Sequence, residues 1–137
     1  MWFAKELSLD FSASDVLIAP GGQSAVAICL RALVPPSGNL ILETPTYFGA
    51  LAVARSAGFA LTPVPMDSSG VRPDWLEAAF RSSGSRVAYL QPNHHNPTGI
   101  TLAFERRKAL LEVAAQTAEL GVQFVGVNVK NDKAEAV

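Results

Sequence analysis

The sequence has 137 residues, of which 49% are hydrophobic and 17% charged; this indicates a folded domain or part of one and excludes a disordered chain. The formal net charge of −1 gives this segment no electrostatic basis for binding nucleic acid. A single cysteine excludes a disulfide framework or a multi-cysteine metal site within the chain. The absence of a long apolar run or a signal peptide predicts no membrane span and a cytoplasmic protein.

Short apolar runs alternate with amphipathic segments along the chain. The runs predict five strands, at residues 15–19, 39–43, 59–64, 86–90 and 122–127. Four helices are predicted between and after them, at residues 24–34, 47–57, 73–81 and 104–120. Turn residues predict a loop at 65–70.

This alternation predicts an α/β domain, a three-layer sandwich with a mostly parallel sheet covered on both faces. We expect the domain to occupy residues 15–127, with a short N-terminal segment at 1–14. The polar segment at residues 128–137 is expected to be a disordered tail. In such sheets ligands bind at the carboxyl ends of the strands, so the loops that leave those ends are the candidate site.

The first candidate loop is a glycine-rich turn before the first predicted helix. It reads Pro20-Gly21-Gly22-Gln23-Ser24. Free backbone N–H groups and the positive end of the helix dipole meet there, which suits a phosphate group. The alternative is a tight turn that needs positive φ, and two adjacent glycines alone favour that interpretation.

The second candidate loop carries an aromatic residue directly after the second predicted strand. In Glu43-Thr44-Pro45-Thr46-Tyr47 the tyrosine ring could lie over a flat ligand. The alternative is that Tyr47 or Phe48 packs in the core where the next helix begins.

The third candidate loop presents an asparagine after the fourth predicted strand. In Asn93-His94-His95-Asn96-Pro97-Thr98-Gly99, the proline restricts the asparagine and the glycine allows a sharp turn. Two histidines suggest a metal, but adjacent extended residues point opposite ways and the chain has no further histidine. We therefore expect no metal site and expect both histidines to line or support the pocket.

In this order and spacing the three loops resemble the fold-type I pyridoxal 5′-phosphate (PLP) enzymes, the aspartate aminotransferase superfamily. Asn96-Pro97-Thr98-Gly99 matches the N-P-T-G signature of that family. The resemblance implies PLP as cofactor. It implies that the phosphate binds at Gly21, Gly22 and Gln23, that the ring stacks on Tyr47 and that Asn96 hydrogen-bonds the 3′ oxygen.

Two further stretches sharpen the resemblance. Glu43-Thr44-Pro45-Thr46-Tyr47 and the pair Arg106-Arg107 are most similar to the aminotransferase-like domain of MocR/GntR-type regulators and to 2-aminoadipate aminotransferases. The resemblance implies amino-group transfer between an amino acid and a 2-oxo acid, with a homodimer as the full-length form.

The family's Schiff-base lysine has no counterpart in the chain. The lysines are Lys5, Lys108, Lys130 and Lys133, and none has the family's S-x-x-K context. The family's aspartate at the ring nitrogen would fall on or next to Val127 and its following tyrosine on Lys130, and neither matches. We therefore assign no catalytic residue and expect an N-terminal fragment of the large domain that is inactive alone and poorly soluble.

Alternatives to an enzyme remain open. One is a PLP-sensing effector domain of a MocR/GntR-type transcription regulator, which would need a DNA-binding domain encoded upstream. Another is a non-catalytic remnant. An unrelated nucleotide-binding module is disfavoured by the ordered set of three loops.

Overall fold

The computed structural model describes residues 12, 14, 16–118 and 121, in which helices and strands alternate. The helices are α1 (Gly22–Leu33), α2 (Phe48–Ser56), α3 (Pro73–Ser83) and α4 (Phe104–Gln116). The strands are β1 (Asn39–Thr44), β2 (Ala60–Asp67), β3 (Gly70–Val71) and β4 (Val87–Tyr89). None of these helices is long and apolar enough to cross a membrane.

The strands form one sheet in the order β3-β2-β1-β4. β1 lies in the interior and runs parallel to both β2 and β4, while β3 pairs antiparallel with the end of β2. Four successive residues of β1, Leu40 to Glu43, are buried, as is typical of a parallel strand covered on both faces. The α/β class with a mostly parallel sheet is therefore confirmed.

Alternate residues of β1 contact different helix layers. Leu40 and Leu42 pack with α1 and α2, whereas Ile41 packs with α3 and α4. The first cluster consists of Leu30, Val34, Leu40, Leu42, Val53 and Ala54. The second consists of Ile41, Val64, Val71, Leu76, Ala79, Phe80, Leu102, Leu110 and Val113. Helices thus cover both faces of the sheet and give the predicted three layers.

The prediction of a strand at residues 15–19 is wrong for the part that the structure describes. Residues 16–19 form no strand, and the side chains of Leu17 and Ile18 are 73% and 91% exposed. A strand needs partners for its backbone N–H and C=O groups, and the four-stranded sheet of the described residues includes no strand paired with this segment. An apolar run alone does not supply that partner.

The predicted loop at residues 65–70 is partly wrong, because β2 continues to Asp67. Ser68 and Ser69 form a tight turn that pairs Met66 with Val71 and Asp67 with Gly70. Gly70 has φ +98°, a conformation that favours glycine. The predicted turn is present at Ser68 and Ser69, but the residues on either side of it pair as a short hairpin.

The last described helix is shorter than predicted, since α4 ends at Gln116 rather than at residue 120. The Thr117 N–H still donates to the Val113 carbonyl at 2.9 Å, but Thr117 itself leaves the helical conformation, with φ −103° and ψ 13°. The predicted fifth strand at 122–127 and the tail at 128–137 lie outside the described residues.

Candidate functional site

The candidate loops meet at one edge of the sheet. Because β1 and β4 are parallel and pair Leu42 with Tyr89, the loops that follow them leave the sheet on the same side. The start of α1 reaches this edge as well, through contacts of Gln23 with Tyr47 and Gly49. The glycine-rich turn and the tyrosine loop are therefore joined directly.

The start of α1 offers free backbone donors. Gly21 caps the helix with φ +93°, and its own N–H donates to the Ala19 carbonyl at 2.8 Å. The first helical bond runs from Ala25 N–H to the Gly21 carbonyl at 3.1 Å, so the amides of residues 22–24 have no acceptor within the helix. With no acidic residue in the first turn, this end of the helix favours an anion.

The side chain of Gln23 links the glycine-rich turn to the tyrosine loop. The Tyr47 hydroxyl donates to Gln23 Oε1 at 2.9 Å, and Gln23 Nε2 donates to the Gly49 carbonyl at 2.9 Å. A side chain at Gly49 would collide with both Gln23 and the Tyr47 ring, so this close approach requires glycine. Phe48 is 75% exposed, which rules out the core role considered for it.

Asn96 lies exposed in a closed turn. The Gly99 N–H donates to the His95 carbonyl at 2.6 Å, and the His95 N–H donates to the Ile100 carbonyl at 2.8 Å. Gly99 has φ +74°, as the sharp turn requires. The peptide bond before Pro97 is cis. The loop leaves the Asn96 side chain on the surface.

A buried carboxyl lies under this loop. Glu43, at the end of β1, is 1% exposed and its Oε2 accepts a hydrogen bond from the Gln91 N–H at 2.8 Å. His95 is 2% exposed, and its Nε2 lies 3.4 Å from Glu43 Oε2 without hydrogen-bond alignment. The other ring nitrogen, Nδ1, lies 2.8 Å from Thr98 Oγ1.

Burial controls the charges of this cluster. It raises the pKa of Glu43 to about 7, and the bond from the Gln91 N–H only partly opposes the shift. Burial lowers the pKa of His95 despite opposing backbone carbonyls, including that of Pro45. Burial, together with the nearby Glu43 charge, raises the pKa of Tyr89 to about 12. At neutral pH His95 is therefore neutral, and Glu43 is close to the midpoint of its ionisation.

Two further polar atoms in the candidate loops are buried without a partner among the described residues, Thr46 Oγ1 and Asn93 Oδ1. Buried polar atoms are normally hydrogen-bonded, so these two atoms are exceptions within the loops. The free amides of α1 and the Tyr47 ring, which lie nearer the surface, form a set of groups that suits a phosphorylated aromatic ligand.

Sequence reasoning did not assign roles to Glu43 and Gln91. A charged residue that ends a buried apolar strand is a signal for Glu43, but its partner 48 residues later has no local signal. His94 is exposed and His95 buried, so the two side chains do point apart, but His94 has φ +45° rather than the extended backbone that the prediction assumed. Lys108 is exposed on α4.

Comparison with known proteins identifies the family. Residues 2–120 match the model of the family "Aminotransferase class I and II". Over 110 residues the chain is 34% identical to the vitamin B6 salvage pathway transcriptional repressor PtsJ of Salmonella typhimurium, covering 80% of this chain and 25% of that protein. Over 120 residues it is 30% identical to aromatic-amino-acid aminotransferase 1 of Thermococcus litoralis, covering 84% and 29%.

A solved structure gives the same result. LysN, an α-aminoadipate aminotransferase from Thermus thermophilus complexed with N-(5′-phosphopyridoxyl)-L-leucine, is 29% identical with a TM-score of 0.76, covering 88% of this chain and 30% of that one. The chain spans about a quarter of the length of the curated relatives that it matches. A match over most of its own residues, with a common fold, is sufficient for one conclusion: the chain belongs to the aminotransferase class I and II family.

Proposed function

We propose that this chain forms the PLP-binding part of a protein that transfers an amino group between an amino acid and a 2-oxo acid. The hydrogen bond between Tyr47 and Gln23 carries the proposal, because it joins a free helix N-terminus to an exposed aromatic loop at the carboxyl edge of the sheet. A ligand that carries both a phosphate and a flat ring needs a helix N-terminus for the first and an aromatic side chain for the second.

Each candidate residue has a role in this proposal. The turn formed by Gly21, Gly22 and Gln23 binds the phosphate through its backbone amides, Tyr47 contacts one face of the ring, and Asn96 donates to the 3′ oxygen. PLP supplies the electron sink that amino transfer requires. These residues contribute binding and orientation, which align the reacting groups.

Several of the relatives are transcription regulators, which favours a second candidate function. The matches include the repressor PtsJ and a Bacillus subtilis regulator described as HTH-type, the latter 32% identical over 115 residues. In this alternative the same PLP site belongs to an effector domain of a MocR/GntR-type regulator. A coding region upstream that specifies a basic helix-turn-helix would favour the regulator over the enzyme.

The cofactor proposal is tested with 4′-deoxypyridoxine 5′-phosphate, a PLP analogue that lacks the aldehyde and so cannot react with surface lysines. We expect binding in a calorimetric titration, and binding roughly tenfold or more weaker for the unphosphorylated analogue, because the helix amides lose their anion. Tyr47→Ala should weaken binding by roughly three- to tenfold through the lost ring contact.

Phe104→Ala is the matched control, since Phe104 is an exposed aromatic residue at the start of α4 and lies outside the candidate loops. It should leave the affinity within about twofold. Equal affinity for the phosphorylated and unphosphorylated analogues, or equal losses in the two aromatic variants, would contradict the proposed site.

The proposal extends to the full-length protein, with an amino acid and a 2-oxo acid as substrates and a homodimer as the assembled form. A cytoplasmic location and the domain limits at residues 15 and 127 remain predictions from the sequence.

A further inference from the structure

We propose that Gln91 and Glu43 are positioning residues for Asn96, with Gln91 holding the Asn96 backbone and Glu43 anchoring Gln91 to the end of β1. The inference rests on the proposed function, because the orientation of Asn96 bears on function only if its carboxamide contacts the ligand.

The side chain of Gln91 contacts both polar groups of the Asn96 backbone. The Asn96 N–H donates to Gln91 Oε1 at 3.3 Å, and Gln91 Nε2 donates to the Asn96 carbonyl at 3.4 Å. Pro97 has no N–H to hold the next position, and the described residues offer the Asn96 backbone no other partner. A carboxamide is needed for this contact, since it combines a donor and an acceptor.

Glu43 fixes the base of the loop. The β1–β4 register pairs Leu42 with Tyr89, which brings Glu43 beside the residues that follow β4. Its Oε2 accepts from the Gln91 N–H at 2.8 Å and lies 3.4 Å from His95 Nε2. Glu43 Oε2 thus lies near both ends of the segment 91–95, and the Gln91 N–H supplies a hydrogen bond that a buried carboxyl needs.

Gln91→Met tests the first link, because methionine keeps the side-chain length and removes both bonds to Asn96. In the ligand-free chain we expect hydrogen exchange at the Asn96 backbone amide to quicken roughly fivefold or more, with an unchanged urea midpoint. Gln116→Met, an identical replacement at an exposed residue of α4, should leave that exchange rate unchanged.

A ligand comparison tests whether the effect passes through Asn96. Gln91→Met should weaken binding of 4′-deoxypyridoxine 5′-phosphate roughly fivefold, but binding of the matching analogue without the 3′ oxygen less than about twofold. The second analogue has no oxygen to accept a hydrogen bond from the Asn96 carboxamide. Equal losses for both analogues would indicate general disruption of the loop and overturn the positioning role.

Glu43 variants test the second link. Glu43→Gln retains an oxygen that can accept from the Gln91 N–H, so Asn96 exchange should match the wild type. Glu43→Leu removes the acceptor and should reproduce the faster exchange of Gln91→Met. If the leucine variant does not fold, Glu43→Met takes its place, because methionine keeps the side-chain length and also removes the acceptor. Asn96 exchange equal to that of the wild type in the folded variant would overturn the anchor.

The two proposals can fail separately. An Asn96 exchange rate in Gln91→Met equal to that in Gln116→Met overturns the positioning role whether or not any ligand binds. A wild-type chain that does not bind the phosphorylated analogue overturns the proposed function, while the exchange measurement still decides how Asn96 is held.

Discussion

Glu43 places a carboxyl group at the end of a strand whose preceding side chains are apolar and buried. Its side chain is 1% exposed. Ionisation of this carboxyl therefore creates a buried negative charge that has few hydrogen-bond partners. The groups that face it are His95 from the third loop and Tyr89 from β4. Neither supplies a full positive charge at neutral pH, because burial lowers the pKa of His95 and the tyrosine hydroxyl is neutral.

The raised pKa of Glu43 predicts a pH-dependent stability. In the folded chain the pKa is about 7 against 4.5 for the free group, so its contribution is fully present below pH 4.5 and is lost as the pH rises to about 7. The charged carboxyl then costs about 3 kcal/mol. We expect Glu43→Gln to raise the free energy of unfolding at pH 8 and to change it little at pH 4.5, as measured by urea denaturation across this range.

Glu112→Gln, at an exposed position of α4, is the matched control and should leave the pH profile unchanged. In Glu43→Gln the opposite dependence of His95 should become visible: its lowered pKa contributes stability above pH 6.5, which is lost as the pH falls through the folded value. An unaltered profile in Glu43→Gln would contradict the assignment.

Among the elements, β1 could be predicted from sequence nearly to its last residue, because an apolar run lies between the turn at Gly38 and Pro45. The segment at 16–19 has a similar apolar pattern and yet forms no strand, since strand formation depends on a partner elsewhere in the chain. The same limit applies to the site. Its three loops can be predicted from local sequence motifs. The contact between Glu43 and Gln91 cannot, because it depends on the β1–β4 register, which no local pattern encodes.

Helix α4 is held against the sheet by one row of buried side chains. Leu110, Val113, Ala114 and Thr117 are buried at helical spacing, whereas Leu111 is 57% exposed. We expect Leu110→Ala to lower the free energy of unfolding by about 2–5 kcal/mol through lost burial and a residual cavity. Leu111→Ala, the same replacement one residue later, should change it by less than about 0.5 kcal/mol. Comparable losses in urea denaturation of the two variants would show that this face does not hold α4 on the sheet.

At the scale of the whole molecule, the described residues bring the candidate loops together at one edge of the sheet, in a chain that spans about a quarter of the length of its curated relatives. The same residues leave apolar surface open. Val16, Leu17 and Ile18 are 41%, 73% and 91% exposed, and an apolar groove between α1 and β4 includes Val26 and Leu33 in its lining. Exposed apolar patches of this kind favour association between molecules.

The chain should therefore self-associate through the apolar segment at residues 16–18. A net charge of −1 provides little electrostatic repulsion against such contacts. Replacing both Leu17 and Ile18 by lysine should shift sedimentation velocity profiles toward the monomer. The urea midpoint should change little, because neither side chain lies in a buried cluster.

Ala115→Lys with Gln116→Lys adds the same charge at exposed residues of α4, and it should leave association nearly unchanged if the apolar segment is responsible. Equal suppression by both double variants would attribute the effect to net charge instead, and unfolding of the Leu17 and Ile18 variant would show that the segment contributes to the core.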